Sequence, residues 1–188
     1  MNFPILSSLI LLPTIGALFL LFSKDKNSNT GKYVALFTSF VNFLISIYLW
    51  YLFDLTTSSF QFVENREWLK GFVNYKVGID GISILFIILT TLITPLCIIS
   101  VNNTIKVRLR DFLIAILVME SLMIGVFCSL DLVVFYLFFE AGLIPMFLII
   151  GIWGGERRVY SAFKFFLYTL LGSVLMLVAI ISIYWIAG

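Results

Sequence analysis

The chain has 188 residues, of which 62% are hydrophobic and 12% are charged, and its formal net charge is +2. Soluble domains carry about 25% charged and about 45–50% apolar residues, so this composition indicates a membrane protein. The chain lacks histidine, the commonest general base and metal ligand, and its small, scattered charge excludes a nucleic-acid-binding surface.

Six apolar stretches are long enough to cross about 30 Å of hydrocarbon as helices. They span residues 3–22, 33–53, 82–101, 112–129, 132–150 and 161–186. The predicted fold class is therefore an all-α polytopic membrane protein, with residues 1–188 as a single transmembrane domain. Because Lys24 and Lys26 follow the first stretch and no basic residue precedes it, we expect a retained helix rather than a signal peptide.

The basic residues predict the orientation of the helices. Nine of them follow the first, third and fifth helices: Lys24, Lys26, Lys32, Lys106, Arg108, Arg110, Arg157, Arg158 and Lys164. Only Arg66, Lys70 and Lys76 belong to the opposite side. Since positive residues concentrate on the inner side of a membrane, both termini are expected to lie outside.

The segments between the helices carry turn and capping signals. The outer loop, residues 54–81, alternates weakly around Phe62 and is compatible with a short hairpin on the membrane surface. Asp80-Gly81 is predicted to turn into the third helix and Asp131 to cap the fifth. Residues 151–155 are interpreted as an interhelical turn, because no strand precedes them and no GxGxxG occurs.

Two carboxylates interrupt the apolar stretches. Glu120 precedes the tight turn around Ser129-Leu130-Asp131 by nine residues, and Glu140 follows it by nine. At about 1.5 Å per residue both should lie near the bilayer midplane on adjacent antiparallel helices. A charged side chain there costs about 2.5 kcal/mol or more, so such residues are candidates for function. We favour a proton relay for Glu140, whereas a relay and an interhelical hydrogen bond remain equally open for Glu120.

Two further residues accompany the carboxylates. Pro145 removes a helical hydrogen bond just beyond Glu140 and should free a backbone carbonyl that can solvate a proton or a water molecule. Lys164 lies about one turn into the sixth helix, where composition alone favours a side chain that reaches the interface. Cys97 and Cys128 are interpreted as small core residues, because they lie far apart and form no CxxC motif.

Four blocks, in order, strongly resemble chain 4 (the bacterial M subunit) of respiratory complex I, the NADH:quinone oxidoreductase. They are Val77 to Ser83, Phe135 to Met146, Gly151 to Gly154 and Phe165 to Ser173. The resemblance implies the N-terminal portion of an antiporter-like fold. It also implies a proton path in which Glu140 is the key acid, Lys164 belongs to the same axis and Glu120 has a supporting role.

The resemblance implies further expectations about partners and cofactors. NADH, FMN, iron–sulfur clusters and ubiquinone would be bound by other subunits, and this chain would hold no cofactor, no metal and no redox site of its own. The family carries further helices after the sixth, including a lysine that pairs with the key glutamate. A separate chain is expected to supply those helices beside the other membrane-arm subunits.

Other hypotheses remain open. The chain could belong to a multi-chain cation/proton antiporter or a membrane-bound hydrogenase, or it could be a structural subunit without transport. The abundance of Phe, Ile, Lys and Asn is typical of an AT-rich genome and favours the mitochondrial inner membrane, with a bacterial plasma membrane as the alternative.

Overall fold

The computed structural model describes residues 4–22, 29–69, 73–101, 105 and 107–187. Within these ranges it contains six long helices and one hairpin. The helices are α1 (Ile5–Phe22), α2 (Asn29–Leu52), α3 (Ser83–Ser100), α4 (Leu109–Cys128), α5 (Leu132–Trp153) and α6 (Arg158–Ala187), and the strands are β1 (Gln61–Leu69) and β2 (Val73–Ile79). All six helices are long and apolar enough to cross a membrane. The predicted class, an all-α polytopic membrane protein, is confirmed.

Four helices extend beyond the predicted ranges. α2, α4 and α6 begin about one turn earlier. α5 continues through Gly151 to Trp153, so the prediction of a turn over residues 151–155 was wrong for its first three residues. The extra turn of α5 is held by tertiary contacts. Trp153 packs edge-on against Phe112, with ring centroids 5.1 Å apart, and its indole nitrogen donates to the Val107 carbonyl at 2.9 Å.

The helix α4 lies at the centre of the bundle. It packs against α1, α3 and α5 and also touches α2 and β2. Half of the membrane-spanning part of α4 is buried, against 6% of the membrane-spanning part of α6. The core is therefore organised around α4, while α6 contacts α5 and leaves most of its surface open.

Two apolar clusters fill the core around α4. One contains Leu6, Leu9, Ile84, Ile124 and Cys128, with Val77 and Ile79 of β2. The other contains Leu20, Ala35, Ile98, Leu113 and Leu117. We call the end of the bundle beside β1 and β2 the hairpin end, and the opposite end, near Arg108 and Arg158, the basic end. Because each cluster lies toward one end, the middle of the bundle is left for polar side chains.

The sulfur of Cys128 is buried in the first cluster, as predicted. Cys97 is exposed on the surface of α3, so the prediction that it is a core residue was wrong. A single thiol on an apolar helix has no periodicity of its own, which explains why its face could not be deduced.

The hairpin is antiparallel and packs against α1, α4 and α5. Its register pairs Glu64 with Val77 and Arg66 with Tyr75, with irregularities on either side. Phe62, at the first irregularity, has a positive φ of 52°. The Leu130 amide donates to the Lys76 carbonyl at 2.9 Å, which joins β2 to the turn between α4 and α5. The hairpin predicted as a possibility for this loop is therefore present.

Asp80 and Asp131 occupy the starts of two helices, as predicted. The Asp80 carboxylate accepts hydrogen bonds from the Ser83 amide at 2.7 Å and the Ile82 amide at 3.1 Å. These bonds, with that from Ser83 the strongest, lower the pKa of Asp80. Asp131 accepts from the amides of Val133 and Val134 and caps α5.

Glu64 caps α1 from a distance. Its carboxylate accepts hydrogen bonds from the Leu6 amide at 2.8 Å, from the Ser7 amide at 3.2 Å and from the Ser7 hydroxyl. The first amides of a helix have no partner within that helix, and a negative charge is favourable beside them. The hairpin therefore fixes the start of α1, a role that the sequence analysis did not find.

Replacing Glu64 should destabilise the bundle at this end. For Glu64→Ala we expect a loss of about 1–2 kcal/mol in the free energy of unfolding, because the amides at the start of α1 lose their acceptor. Thermal denaturation of the detergent-solubilised chain measures the effect. Glu67→Ala is the matched control, since Glu67 is exposed on the same strand. Equal denaturation midpoints for the two variants would contradict the capping role.

Candidate functional site

Glu120 lies inside the bundle and has one polar partner. It is 2% exposed, and its Oε1 accepts a hydrogen bond of 2.9 Å from Nδ2 of Asn42 on α2. The other oxygens of the pair, Oε2 of Glu120 and Oδ1 of Asn42, are buried without a hydrogen-bond partner among the described residues. Buried polar groups without partners cost free energy, so this pair is a distinctive feature of the core.

Asn42 belongs to a layer of buried polar side chains in the middle of the bundle. The hydroxyls of Ser46 on α2 and Thr91 on α3 lie 2.7 Å apart. The Ser121 hydroxyl, next to Glu120, donates to the Ile10 carbonyl of α1. Four helices thus meet through hydrogen bonds at this level, between the two apolar clusters.

Glu140 is half-buried on α5 and faces a different set of groups. Its Oε1 accepts a hydrogen bond of 2.8 Å from the hydroxyl of Tyr136, one turn earlier on the same helix. The Tyr136 hydroxyl also interacts with that of Ser173, which is buried on α6. A line of three polar groups therefore runs from α6 to Glu140.

The two carboxylates occupy corresponding positions on neighbouring helices. Glu120 lies about two turns before the end of α4, and Glu140 lies about two turns after the start of α5. The helices α4 and α5 approach each other closely at Gly125, where an added Cβ would lie 2.5 Å from the Phe138 ring. The two acids do not share a partner in the described part of the chain: Glu120 bonds to α2, and Glu140 bonds within α5.

Lys164 lies closer to the basic end than Glu140 does. It is exposed on α6, and its ammonium nitrogen lies 5.9 Å from the centroid of the Tyr160 ring. By helix position Lys164 is about 9 Å from the start of α6, whereas Glu140 is about 20 Å from the end of α5. Among the described residues, Glu140 and Lys164 form no ion pair.

Pro145 is buried within α5, and the helix continues on both sides of it. Because proline has no amide hydrogen, the carbonyl of Ala141 receives no helical hydrogen bond from position 145. That carbonyl belongs to the residue next to Glu140. The part of the chain that the structure describes contains no group of three or more metal-ligating side chains.

Sequence reasoning missed Asn42 and Tyr136 as partners of the two acids. Asn42 is the one carboxamide in the apolar stretch 33–53, and Ser39, Asn42 and Ser46 recur at helical spacing, so a buried polar face could have been suspected. Tyr136 precedes Glu140 by one helical turn, which is a spacing that brings side chains together.

The fold is shared with a chain of a solved membrane complex. The chain superposes with a TM-score of 0.77 on a chain of the membrane-bound sulfane sulfur reductase, an archaeal respiratory membrane complex, at 22% identity, over 96% of this chain and 28% of that one. Residues 8–126 match the family model "NADH-ubiquinone oxidoreductase chain 4, amino terminus", and residues 129–188 match "NADH:quinone oxidoreductase/Mrp antiporter, TM". The chain therefore belongs to the family of NADH:quinone oxidoreductase chain 4, also called subunit M.

Individual relatives agree with this assignment. NADH-quinone oxidoreductase subunit M of Rhodobacter capsulatus is 58% identical over 87% of this chain and 31% of its own length. NADH-ubiquinone oxidoreductase chain 4 of Marchantia polymorpha is 46% identical over 97% of this chain and 37% of its own length. The chain thus spans about a third of the length of the curated relatives that it matches.

The close approach of α4 and α5 can be tested at Gly125. For Gly125→Ala we expect a loss of about 1–3 kcal/mol in the free energy of unfolding, because the new methyl group would overlap the Phe138 ring. Gly142→Ala on α5 is the control, since a Cβ there meets nothing within 4 Å. Denaturation of both variants in the same detergent measures the difference, and equal stability would contradict the tight contact.

Proposed function

We propose that this chain is the N-terminal part of a proton-translocating membrane-arm subunit of respiratory NADH:ubiquinone oxidoreductase, and that Glu140 carries the transported proton. The proposal depends chiefly on one observation: Glu140 lies in the middle of a membrane-spanning helix and accepts a hydrogen bond from Tyr136. An ionisable side chain at this depth costs free energy to place in the membrane. Its presence there is explained if it gains and loses a proton.

The groups around Glu140 suit proton transfer. Tyr136 donates to the carboxylate and interacts with Ser173, so hydroxyls lie on the side of α6. The Ala141 carbonyl, which Pro145 leaves without a helical donor, offers an acceptor beside the acid. A carboxylate bounded by donors and acceptors can change its proton occupancy when a neighbouring charge changes. Lys164 is proposed to belong to the same path nearer the basic end, and Glu120 to support it.

The remainder of the path is proposed to lie outside this sequence. The curated relatives are roughly three times as long as the part they share with this chain. Much of α5 and α6 is open on the surface of the bundle, and further helices, supplied by a separate chain, would cover it. Other membrane-arm subunits would be neighbours. NADH, FMN, iron–sulfur clusters and ubiquinone would be bound elsewhere in the complex, and electron transfer there would drive the proton movement.

A second candidate function is that of a subunit in a multi-chain cation/proton antiporter. The family model that matches residues 129–188 includes the Mrp antiporters. The match of residues 8–126 to the chain 4 family favours the respiratory enzyme, because it covers most of the chain. Stimulation of proton movement by NADH, rather than by a sodium gradient, would separate the two functions.

The proposed location is the mitochondrial inner membrane or a bacterial plasma membrane, with both termini outside. Relatives occur in the plant Marchantia polymorpha and in the bacterium Rhodobacter capsulatus. Lys32, Arg108, Arg110, Arg157 and Arg158 lie at the basic end, which the positive-inside rule assigns to the matrix or cytoplasm. Lys24, Lys26, Lys70 and Lys106 lie outside the described residues.

The role of Glu140 can be tested with Glu140→Gln in membranes that contain the assembled complex. We expect NADH-driven proton translocation to fall by about tenfold or more, because glutamine accepts the Tyr136 hydrogen bond but carries no exchangeable acid proton. A pH-sensitive dye measures the rate. Glu156→Gln is the control, since Glu156 is exposed in the α5–α6 turn. Unchanged translocation with altered assembly would favour a purely structural subunit.

The orientation can be tested by sided labelling. Thr57→Cys places a thiol beside the hairpin, and Arg157→Cys places one at the basic end; both positions are exposed. In sealed vesicles of known orientation, a membrane-impermeant maleimide should label position 57 only from outside and position 157 only from inside. The unsubstituted chain gives the background from Cys97 and Cys128. The reverse pattern would contradict the proposed topology.

A further inference from the structure

The pairing of Asn42 with Glu120 is incomplete in a specific way. One hydrogen bond, from Asn42 Nδ2 to Glu120 Oε1, joins the two side chains at 2.9 Å. The remaining oxygen of each group is buried and has no partner in the described part of the chain. A bond between these two oxygens, together with the existing bond, would close one hydrogen-bonded ring between the carboxyl group and the carboxamide.

Two oxygens cannot bond to each other unless one of them carries a hydrogen. The Asn42 carboxamide oxygen can only accept, and an ionised carboxylate can also only accept. A neutral carboxylic acid, by contrast, has one O–H donor and keeps its carbonyl oxygen as an acceptor. Protonation of Glu120 at Oε2 therefore supplies the hydrogen that a bond to Oδ1 of Asn42 requires.

The neighbouring hydroxyls have partners of their own. Ser39 and Ser46 donate to carbonyls of their own helix, at 3.1 and 2.7 Å. Ser121 donates to the Ile10 carbonyl. Since these donors are engaged, Asn42 and Glu120 are the groups that can satisfy each other.

No positive charge in the described part of the chain compensates an ionised Glu120, whose one side-chain interaction is with Asn42. The helix α1 has no titratable side chain within its bounds. The titratable side chains of the other elements packed on α4 are Lys32, Tyr33, Tyr48 and Tyr51 of α2, Cys97 of α3, Tyr136 and Glu140 of α5, and Tyr75 and Lys76 of β2. Lys32 and Lys76 lie at opposite ends of the bundle, each far from the level of Glu120. A buried carboxylate in these surroundings is favoured in its neutral form.

We propose that Asn42 is a positioning residue that holds Glu120 as a neutral carboxylic acid, in a closed acid–amide pair that joins α2 to α4. The pair carries its own proton and places it at a defined atom, Oε2 of Glu120. The inference concerns hydrogen bonding within the core and does not rest on the proposed transport function. It would hold if the chain moved no protons at all.

Infrared spectroscopy of the full chain in lipid vesicles tests the proposal. At neutral pH we expect the carbonyl-stretch band of a protonated carboxylic acid, assigned to Glu120 because it disappears in Glu120→Gln. Asn42→Leu keeps the number and branching of the side-chain heavy atoms but has no amide. In this variant the band should move to higher wavenumber because the acid carbonyl loses its donor. An absent band at neutral pH, or a band that Asn42→Leu leaves in place, would overturn the proposal.

An isosteric exchange gives a second test if Asn42→Leu does not fold. Asn42→Asp alone sets two acids against each other, so the chain should become less resistant to heat at alkaline pH. Asn42→Asp combined with Glu120→Gln restores one acid and one amide with the helices exchanged. We expect the combined variant to regain the resistance and to show an acid band that now arises from position 42. If it is no more stable than Asn42→Asp alone, the closed pair is contradicted.

Discussion

The fold depends on the requirement that polar groups inside hydrocarbon must find partners within the protein. Helices satisfy the backbone, and several buried polar side chains of α2, α3 and α4 form one layer in the middle of the bundle. There Asn42 bonds to Glu120, Ser46 meets Thr91, and Ser121 bonds to the backbone of α1. Apolar clusters lie on both sides of this layer, so each hydrogen bond within it also fixes which helices are neighbours.

The helix α4 lies between two halves of the bundle that differ in how closely their helices pack. Toward α1, α2 and α3 the packing is closed, and Glu120 is buried with a single partner. Toward α5 and α6 the bundle is open, and Glu140 is half-buried beside Tyr136. The two acids occupy the same level but different surroundings. This difference accounts for a structural pair on one side of α4 and a candidate proton carrier on the other.

Local patterns in the sequence predicted much of the fold. Apolar length located the six helices, and Asp80 and Asp131 could be assigned because a cap acts on amides two or three residues away. Glu140 could be singled out because a charge in an apolar stretch is costly wherever its partners lie. The partners of Glu64 and Asn42 could not be predicted, since they lie 58 and 78 residues away along the chain. Pairings over that separation depend on helix packing, which no short motif encodes.

The proposal that this chain works as part of a respiratory membrane complex can be tested by mass spectrometry of the native complex that contains it. We expect the chain to copurify with flavin- and iron–sulfur-binding subunits and with the polypeptide that supplies the helices found in its longer relatives. Recovery of the chain without such companions, or only with the subunits of a cation/proton antiporter, would contradict it.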